Sequence, residues 1–547
     1  MRNLLGSLVQ VKKEYCLSWT ADISPCQASC PLEIDIESFI KAIARGDFAK
    51  ALDIIKEDCP MPEVCSRICY APCESSCKRG AVDTSVAICS LKRAAVDYGK
   101  NRAPERLNER PGGDRVAVVG SGPAGLSCAY YCARRDYQVT VFEASPFVGG
   151  MLRIGIPEYR LPKEALERDI EDIRKAGVEI LTEKRIGQSM GLSDLFEMGY
   201  KAIFLATGSN KSSRLNLPGE DSEGIINGSD FLKGMKTGKR IDIGKKVAVI
   251  GGGNTGFDAA RCALRLGSSV SIFDRLSKEE MPVYDSEMMA AQDEGICINP
   301  LVVPIGFDSD SGHVSRMRCV KIKRDDLDES GQSIESVIEG SEFSVEVDSV
   351  IIAVGGEPDT SYILMDDGIE VSEAGTIKVD PLTLATNRKG VFAGGDACTG
   401  PETAISAMAD GKKAAASIDH FLKGRETKPT GGFKLEPRAD DLPEGIISRE
   451  REKVRLLPAM LRKNDFREID QGFGPEEAKR EAGRCLRCRS CNRCLEDFDC
   501  VAIMPTENNG KVSPDIDAEL CVGCQVCIQV CPYGHIGEKE MEDGGSA

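Results

Sequence analysis

Apolar residues recur three and four apart through residues 35–57 (DIESFIKAIARGDFAKALDIIKE), with a break at Gly46, so the spacing predicts a pair of amphipathic helices. The pattern changes at 115–144, RVAVVGSGPAGLSCAYYCARRDYQVTVFEA, where an apolar run meets a glycine turn, a helical stretch and a second apolar run. The same alternation returns at 245–275, KKVAVIGGGNTGFDAARCALRLGSSVSIFDR. Strand, turn, helix and strand in that order predict a βαβ unit, and its repetition predicts two dinucleotide-binding domains. A later strand, VFA, runs into Gly394-Gly395-Asp396, and a helix begins near Thr403. There the chain returns to complete the first of the two domains. Residues 101–114 are polar and punctuated by Pro and Gly, as a linker would be.

Composition narrows the chemistry. The chain has 547 residues, too many for one domain, and its 70 basic and 87 acidic side chains give a formal charge of −17. That balance argues against nucleic acid, which needs clustered Lys and Arg; a solvated acidic surface or an acidic docking face both account for it. No apolar run approaches the roughly 18 residues of a membrane span, and the first residues carry no small-residue cleavage site, so a cytoplasmic protein is expected. With only His313, His420 and His535 present, imidazole catalysis has little to draw on. Cysteine is the informative residue: of 24, nine lie in 16–89, nine in 485–531 and six between. In a reducing cytosol such density indicates metal rather than disulfides.

Both glycine turns have the spacing of a pyrophosphate cradle. In Gly120-Ser121-Gly122-Pro123-Ala124-Gly125 the first glycine permits the turn, the second admits a phosphate, and the third lets helix and strand pack. The helix N-terminus offers N–H groups to the phosphates. Glu143 follows Gly120 by 23 residues, where a carboxylate can accept from ribose hydroxyls. The second turn is Gly251-Gly252-Gly253-Asn254-Thr255-Gly256, and Asp274 follows Gly251 by the same 23 residues. An acid there favours NADH over NADPH, whereas Arg275 and Lys278 pull toward a 2′-phosphate; the balance leans slightly to NADH. An Asp at a strand end such as Asp396 can bind a ribityl chain, and a helix N-terminus at Thr403 and Ala404 can face a flavin ring.

The iron–sulfur signal is strongest at the carboxy end. Cys521-x2-Cys524-x2-Cys527-x3-Cys531-Pro532 has the spacing in which three thiolates wrap a cubane and the fourth reaches a neighbouring one; zinc is the alternative. Cys485, Cys488, Cys491, Cys494 and Cys500 offer candidates for that neighbour. The expected assignment is Cys488, Cys491 and Cys494 completed by Cys531, with Cys500 completing the cluster of Cys521, Cys524 and Cys527; Cys485 is left over.

Residues 114–425 resemble the two-dinucleotide-binding-domain flavoproteins, whose first site takes FAD and second NAD(P)H. The resemblance includes the Ala206-Thr207-Gly208 turn and implies flavin contacts at Gly150, Leu152, Thr207, Gly208, Gly395, Asp396, Thr403 and Ala404. The stretch Gly149–Pro157 has no redox cysteine pair, and Cys128 and Cys132 read as buried small hydrophobes, so thiol exchange is not expected. With GIPEYRLPKEA at 155–165 and the run Cys26-x3-Cys30, Cys65-x3-Cys69-x3-Cys73-x3-Cys77 and Cys89, residues 20–425 resemble more narrowly the small subunit of glutamate synthase and its relatives. Those include the amino-terminal half of dihydropyrimidine dehydrogenase and the large subunit of NADH-dependent ferredoxin:NADP oxidoreductase. This resemblance implies two amino-terminal 4Fe–4S clusters. Cys30, Cys69 and Cys73 would hold one, with Cys89 substituting for a ligand position occupied here by Lys92. Cys26 and Cys77 would hold part of the other, whose remaining ligands come in the family from an upstream CxxC. Ser18 and Ala21 stand in that place, and only Cys16 is near. Three to four clusters are therefore expected, with Cys59 and Cys65 as structural thiols.

The expected architecture is an α/β core of two Rossmann-like domains with an amino-terminal α-helical iron–sulfur domain and a carboxy-terminal α+β ferredoxin-like domain. Its divisions are 1–100, the FAD domain at 114–240 and 351–425, the NAD(P) domain at 241–350, a linker at 426–475 and the ferredoxin-like unit at 476–547. The resemblance implies an oxidoreductase subunit that passes electrons between NAD(P)H and ferredoxin or a partner redox subunit through FAD and clusters. Such chains occur in hetero-oligomers, electron-bifurcating complexes among them. The alternatives are the electron-donating subunit of glutamate synthase and a scaffolding subunit that keeps its clusters without turnover.

Overall fold

A computed structural model of the chain describes residues 23–99, 112–188, 190–239, 241–327, 333–425, 446–488, 500–508 and 511–517, with 9–11, 520, 521, 527 and 536–538. The apolar spacing near the amino end becomes helices α1 (Ile36–Ala44) and α2 (Phe48–Asp58). Asp35 caps the first by accepting from the Ser38 N–H at 3.2 Å, and Asp47 caps the second by accepting from the Lys50 N–H at 2.9 Å. Gly46 between them takes φ +80°, a left-handed turn that side chains resist. Phe39, Ile40 and Ile43 of α1 and Ile55 of α2 are buried, each contributing on the order of 1.5–3 kcal/mol. Helix α3 (Pro62–Ile68) follows, and α4 (Ile88–Tyr98) packs against all three.

The two apolar–glycine–helical segments build two parallel sheets of the same plan. Strands β1 (Arg115–Val119), β2 (Gln138–Phe142), β3 (Glu179–Leu181) and β4 (Tyr200–Leu205) lie in the order β4-β1-β2-β3. Helix α5 (Pro123–Ala133) crosses between β1 and β2. The second sheet comprises β5 (Ile225–Asn227), β6 (Lys246–Ile250), β7 (Ser269–Asp274), β8 (Cys297–Pro300) and β9 (Ser349–Ile352), in the order β8-β7-β6-β9-β5, with α6 (Asn254–Arg265) after β6. Every pairing in both sheets is parallel. The strand before each glycine turn is central and nearly all buried, which is why it reads as a continuous apolar run rather than an alternating one. The sheets differ at one edge. β5 precedes its glycine strand, whereas β10 (Val391–Ala393) joins the first sheet beside β4 only after the chain has traversed the second. Helix α7 (Ala404–Leu422) then lies against α5, where the Ser127 hydroxyl donates to the Met408 carbonyl at 2.6 Å.

An antiparallel meander, Val302–Asp310, His313–Leu327 and Phe343–Glu346, packs Phe307, Met317 and Cys319 against the second sheet. Residues 446–474 run along the amino-terminal helices, where Glu468 receives Arg67 at 2.8 Å and Arg93 at 2.6 Å. Helix α8 (Pro475–Ala482), which sequence places at the start of a carboxy-terminal unit, packs on α1 and α4. Beyond it Ile503–Asn508 pairs antiparallel with Lys511–Ile516, and Val9–Val11 pairs antiparallel with Ile536–Glu538. No described helix is long and apolar enough to cross a membrane.

Candidate functional site

At the first glycine turn Gly120 takes φ +103°, and a Cβ there would strike the Ala206 carbonyl on the neighbouring strand end. A Cβ on Gly125 would strike the Gly120 carbonyl, so helix and turn touch through backbone alone. Nothing lies within 4 Å of the place where Gly122 would carry a side chain, which leaves an open face at the start of α5. Pro123 fills the first helical position, where no N–H is needed. The Glu143 carboxylate accepts from the Ser121 N–H at 2.9 Å and its hydroxyl at 2.5 Å, and from the Ser145 N–H at 2.7 Å, tying the turn to the end of β2.

The other expected flavin contacts gather around this turn. Gly150, at φ +53°, presses on Gly122, and Leu152 is buried beside it. Gly395 lies against the Ala124 side chain, and its N–H donates to Asp410 at 2.8 Å. Thr207 shares a hydrogen bond with Tyr362 at 3.2 Å, next to Gly208 at φ +70°. Thr403 caps α7 by accepting from the Ser406 N–H at 3.2 Å, so Ala404 opens the helix. Burial, with the nearby Glu402 and Asp410 charges, pushes the Asp396 carboxyl up to about 6. Asp410 and Tyr362 were not legible in the sequence, because each joins the site from a distant element without a local pattern.

The second turn repeats the construction. Gly251 takes φ +120° against the Ala353 carbonyl, and Gly256 sits on the Gly251 carbonyl. Among the described residues only Pro282 comes within 4 Å of a Cβ placed on Gly253, at 3.9 Å. Asn254 and Thr255 open α6, and among the described residues the buried Asn254 Oδ1 has no hydrogen-bond partner. Asp274 turns into the loop, accepting from the Gly252 N–H and, at 2.7 Å, from the Leu276 N–H. Arg275 points outward, 63% exposed, and pairs with Glu335 at 2.9 Å.

The amino-terminal thiols fall into two groups. Cys30, Cys69, Cys73 and Cys89 surround the buried Lys92, whose Nζ donates to Cys65 at 2.9 Å. Burial pushes Cys89 up to about 12 and raises Cys30 and Cys73, while the Lys92 charge opposes it. Cys69, hydrogen bonded to Cys65, is raised as well. Neutral thiols are what such a pocket favours until a metal cation takes the place of their protons. The second group is Cys26 and Cys77, which share a cavity with Cys485 and Cys488. Cys128 and Cys132 are fully buried with sulfurs 4.0 Å apart in the helix after the first turn.

Among the described residues no three Cys, His, Asp or Glu side chains converge closely enough for a single ion. Four thiols, Cys30, Cys69, Cys73 and Cys89, gathered around one buried pocket have the ligand number and chemistry that a cubane cluster takes. Farther on, the Asp517 N–H donates to the Ala502 carbonyl at 2.8 Å and the Cys521 N–H to the Asp517 carbonyl at 2.9 Å, joining the segments of Cys500 and Cys521. Cys527 is buried, and Cys491, Cys494, Cys524 and Cys531 lie outside the described residues.

Several contacts tie the region of the first thiol group to the dinucleotide domains, among them the Val64 N–H on Asp169 at 2.9 Å and Arg168 on Glu63 at 2.5 Å. Tyr70, next to Cys69, feels the charges of Cys69 and Glu402, and its ring stacks on Tyr284 of the second domain with centroids 6.2 Å apart. Lys412 of α7 also donates to the Leu32 carbonyl and to Asp58, both at 2.7 Å.

The chain is similar to known proteins along most of its length. Residues 114–411 match the pyridine nucleotide-disulphide oxidoreductase family, 9–103 the domain II 4Fe–4S family of dihydropyrimidine dehydrogenase, and 514–534 a 4Fe–4S binding domain. The chain is 40% identical over 500 residues to the NADP(+)-dependent formate dehydrogenase subunit beta of Moorella thermoacetica, covering 85% of this chain and 70% of that protein. It is 38% identical over 504 residues to the NADPH-Fe(3+) oxidoreductase subunit beta of Geobacter sulfurreducens, covering 85% and 75%. The glutamate synthase [NADPH] small chain of Escherichia coli is 31% identical over 418 residues, covering 73% and 88%.

Proposed function

The chain belongs to the pyridine nucleotide-disulphide oxidoreductase family, in the branch of the glutamate synthase small chain, and we propose that it is the nucleotide-oxidising subunit of a larger redox complex. In this reading electrons pass between NAD(P)H and ferredoxin or a partner redox subunit. Bound flavin would supply the exchange between hydride and single electrons, and 4Fe–4S clusters the one-electron relay. The protein's part is binding and placement. The turn at Gly120–Gly125 and the N–H groups of α5 would hold the FAD pyrophosphate, with Glu143 on the ribose. Gly150, Leu152, Thr207, Gly208, Gly395, Asp396, Thr403 and Ala404 would line the ring and its ribityl chain. The turn at Gly251–Gly256 would hold the nicotinamide nucleotide.

The observation that carries the reading is the position of Tyr70. Tyr70, next to Cys69 of the thiol-lined pocket, stacks on Tyr284 of the second dinucleotide domain and lies near Glu402 of the first. A relay needs short separation between redox centres, and this contact supports that reading.

Nucleotide choice follows from Asp274 and Arg275. Both Asp274 oxygens accept backbone N–H groups, so the carboxylate serves the loop as well as a ribose. Arg275 stands exposed in a surface pair with Glu335 worth at most about 1 kcal/mol, which a 2′-phosphate can displace. Both beta-subunit relatives and the glutamate synthase chain are named for NADP(H). The balance therefore moves from the NADH expected in sequence toward NADPH. Anaerobic stopped-flow mixing tests the reading. NADPH is expected to bleach the flavin band faster than NADH, and absence of bleaching by either would leave only a scaffold.

A further inference from the structure

The family's second amino-terminal cluster poses a problem in this chain, because the upstream CxxC is missing and Ser18 and Ala21 stand in its place. The structure brings another CxxC to the same spot. Cys485 and Cys488 line one cavity with Cys26 and Cys77, although about 400 residues separate the two pairs in sequence. We propose that Cys26, Cys77, Cys485 and Cys488 together hold one 4Fe–4S cluster, so that the CLRC segment replaces the lost upstream pair. The proposal rests on the iron–sulfur reading given above and assigns ligands within it.

The placement of CLRC is built rather than incidental. Glu481, fully buried at the end of α8, accepts from the Ala87 N–H at 2.8 Å, the Glu452 N–H at 2.9 Å and Arg484 at 2.7 Å. Arg484, 2% exposed, donates in turn to Asp83 at 2.9 Å and to the Thr84 carbonyl at 2.6 Å. Arg79 closes the ring by binding Asp83 and donating to the Arg484 carbonyl at 3.2 Å. This buried network clamps the residue before Cys485 onto the loop that follows Cys77. Arg487 then takes φ +54° and turns the backbone between the two cysteines.

Two of the four sulfurs already have hydrogen-bond partners of the kind cluster thiolates use. The Arg487 N–H donates to Cys485 at 3.4 Å, and Ser24 shares a hydrogen bond with Cys26 at 3.2 Å. Lys78, Arg79 and Glu37 also line the cavity, and the Arg484 guanidinium is the positive charge felt at Cys77. Cys485 is also the thiol left over when the carboxy-terminal cysteines are grouped by spacing. With Cys488 moved to this cavity, the carboxy-terminal unit keeps Cys491, Cys494, Cys500, Cys521, Cys524, Cys527 and Cys531.

The test uses the full chain purified anaerobically, with iron, acid-labile sulfide and flavin counted and EPR spectra taken after reduction. Cys26→Ala, Cys77→Ala, Cys485→Ala and Cys488→Ala are each expected to lose about four iron atoms and the same single EPR signal. Cys30→Ala should remove a different signal and Cys521→Ala a third, with flavin content kept throughout. If the Cys485 and Cys488 variants lose the signal that Cys521→Ala loses, or lose no iron, the ligand assignment is overturned; so it is if the cavity holds one zinc. Should the alanine variants not accumulate, Cys488→Ser, whose oxygen can still bind iron, is expected to shift the Cys26-dependent signal alone. A shift in the Cys521-dependent signal would overturn the assignment. Wild-type protein without iron would instead sink the iron–sulfur reading itself, which keeps the two failures apart.

Discussion

The two amino-terminal thiol groups are built on opposite principles. Cys30, Cys69, Cys73 and Cys89 come from one stretch of about sixty residues, are gathered by short helices, and enclose a buried cation, Lys92. Cys26 and Cys77 lie in the same stretch, yet their cavity is closed by Cys485 and Cys488 from the far end of the chain. The first group can form once the local helices do. The second depends on α8 docking and on the buried Glu481–Arg484–Asp83–Arg79 network. On the proposed assignment, a site lacking a local ligand pair is completed by a distant segment that buried ion pairs hold in place.

The largest expected effect breaks that lock. Arg484→Ala leaves Glu481 and Asp83 without their shared partner in a buried setting, which costs about 3–5 kcal/mol. Denaturant unfolding of the anaerobic protein should show the loss, and iron analysis should show the second group emptied while the Cys30-dependent EPR signal remains. Equal loss of both signals would mean that the groups do not form independently.

A smaller effect sharpens the comparison from the other side. Lys92→Met removes a positive charge beside the first group, so reduction there becomes harder. The midpoint of the Cys30-dependent signal should fall by about 60 mV, a tenfold change for a one-electron couple. The Cys485-dependent signal should hold its midpoint in the same redox titration.

Two further changes leave both thiol groups alone. Arg275→Ala should raise KM for NADPH about tenfold, the value of one hydrogen bond to a charged group, and leave KM for NADH unchanged in steady-state assays. The least effect concerns Asp396, whose carboxyl is raised to about 6 from an ordinary 3.8. Between those values the folded chain keeps a proton that the unfolded chain has lost, so stability falls as pH rises from about 4 to 6. Asp396→Asn should flatten that slope in thermal melts of flavin-free protein.

Much of this was legible from local pattern. The turns at Gly120 and Gly251 announce themselves because strand, glycines, helix and acid all fall within about thirty residues, and the structure repeats the same backbone contacts in both. The helix pair around Gly46 was readable from period and from the break at that glycine. The place of Cys488 beside Cys26 and Cys77 was not, since spacing groups a cysteine with its nearest neighbours, Cys491 and Cys494, while buried ion pairs without periodicity hold the segment before it. Tyr70, Tyr362 and Asp410 escaped for a related reason, each meeting its partners across elements that only the folded chain brings together. The exchange of β10 and β5 at the sheet edges was half visible, in the late return of a strand before Gly394.

The central claim is that one chain links a nicotinamide nucleotide to several one-electron centres. An anaerobic reductive titration of the purified protein against NADPH or dithionite, read as electrons taken up per flavin, tests it most directly. Uptake of about five or six electrons, two at the flavin and one at each of three or four clusters, is the predicted result. Uptake that stops at two would contradict it.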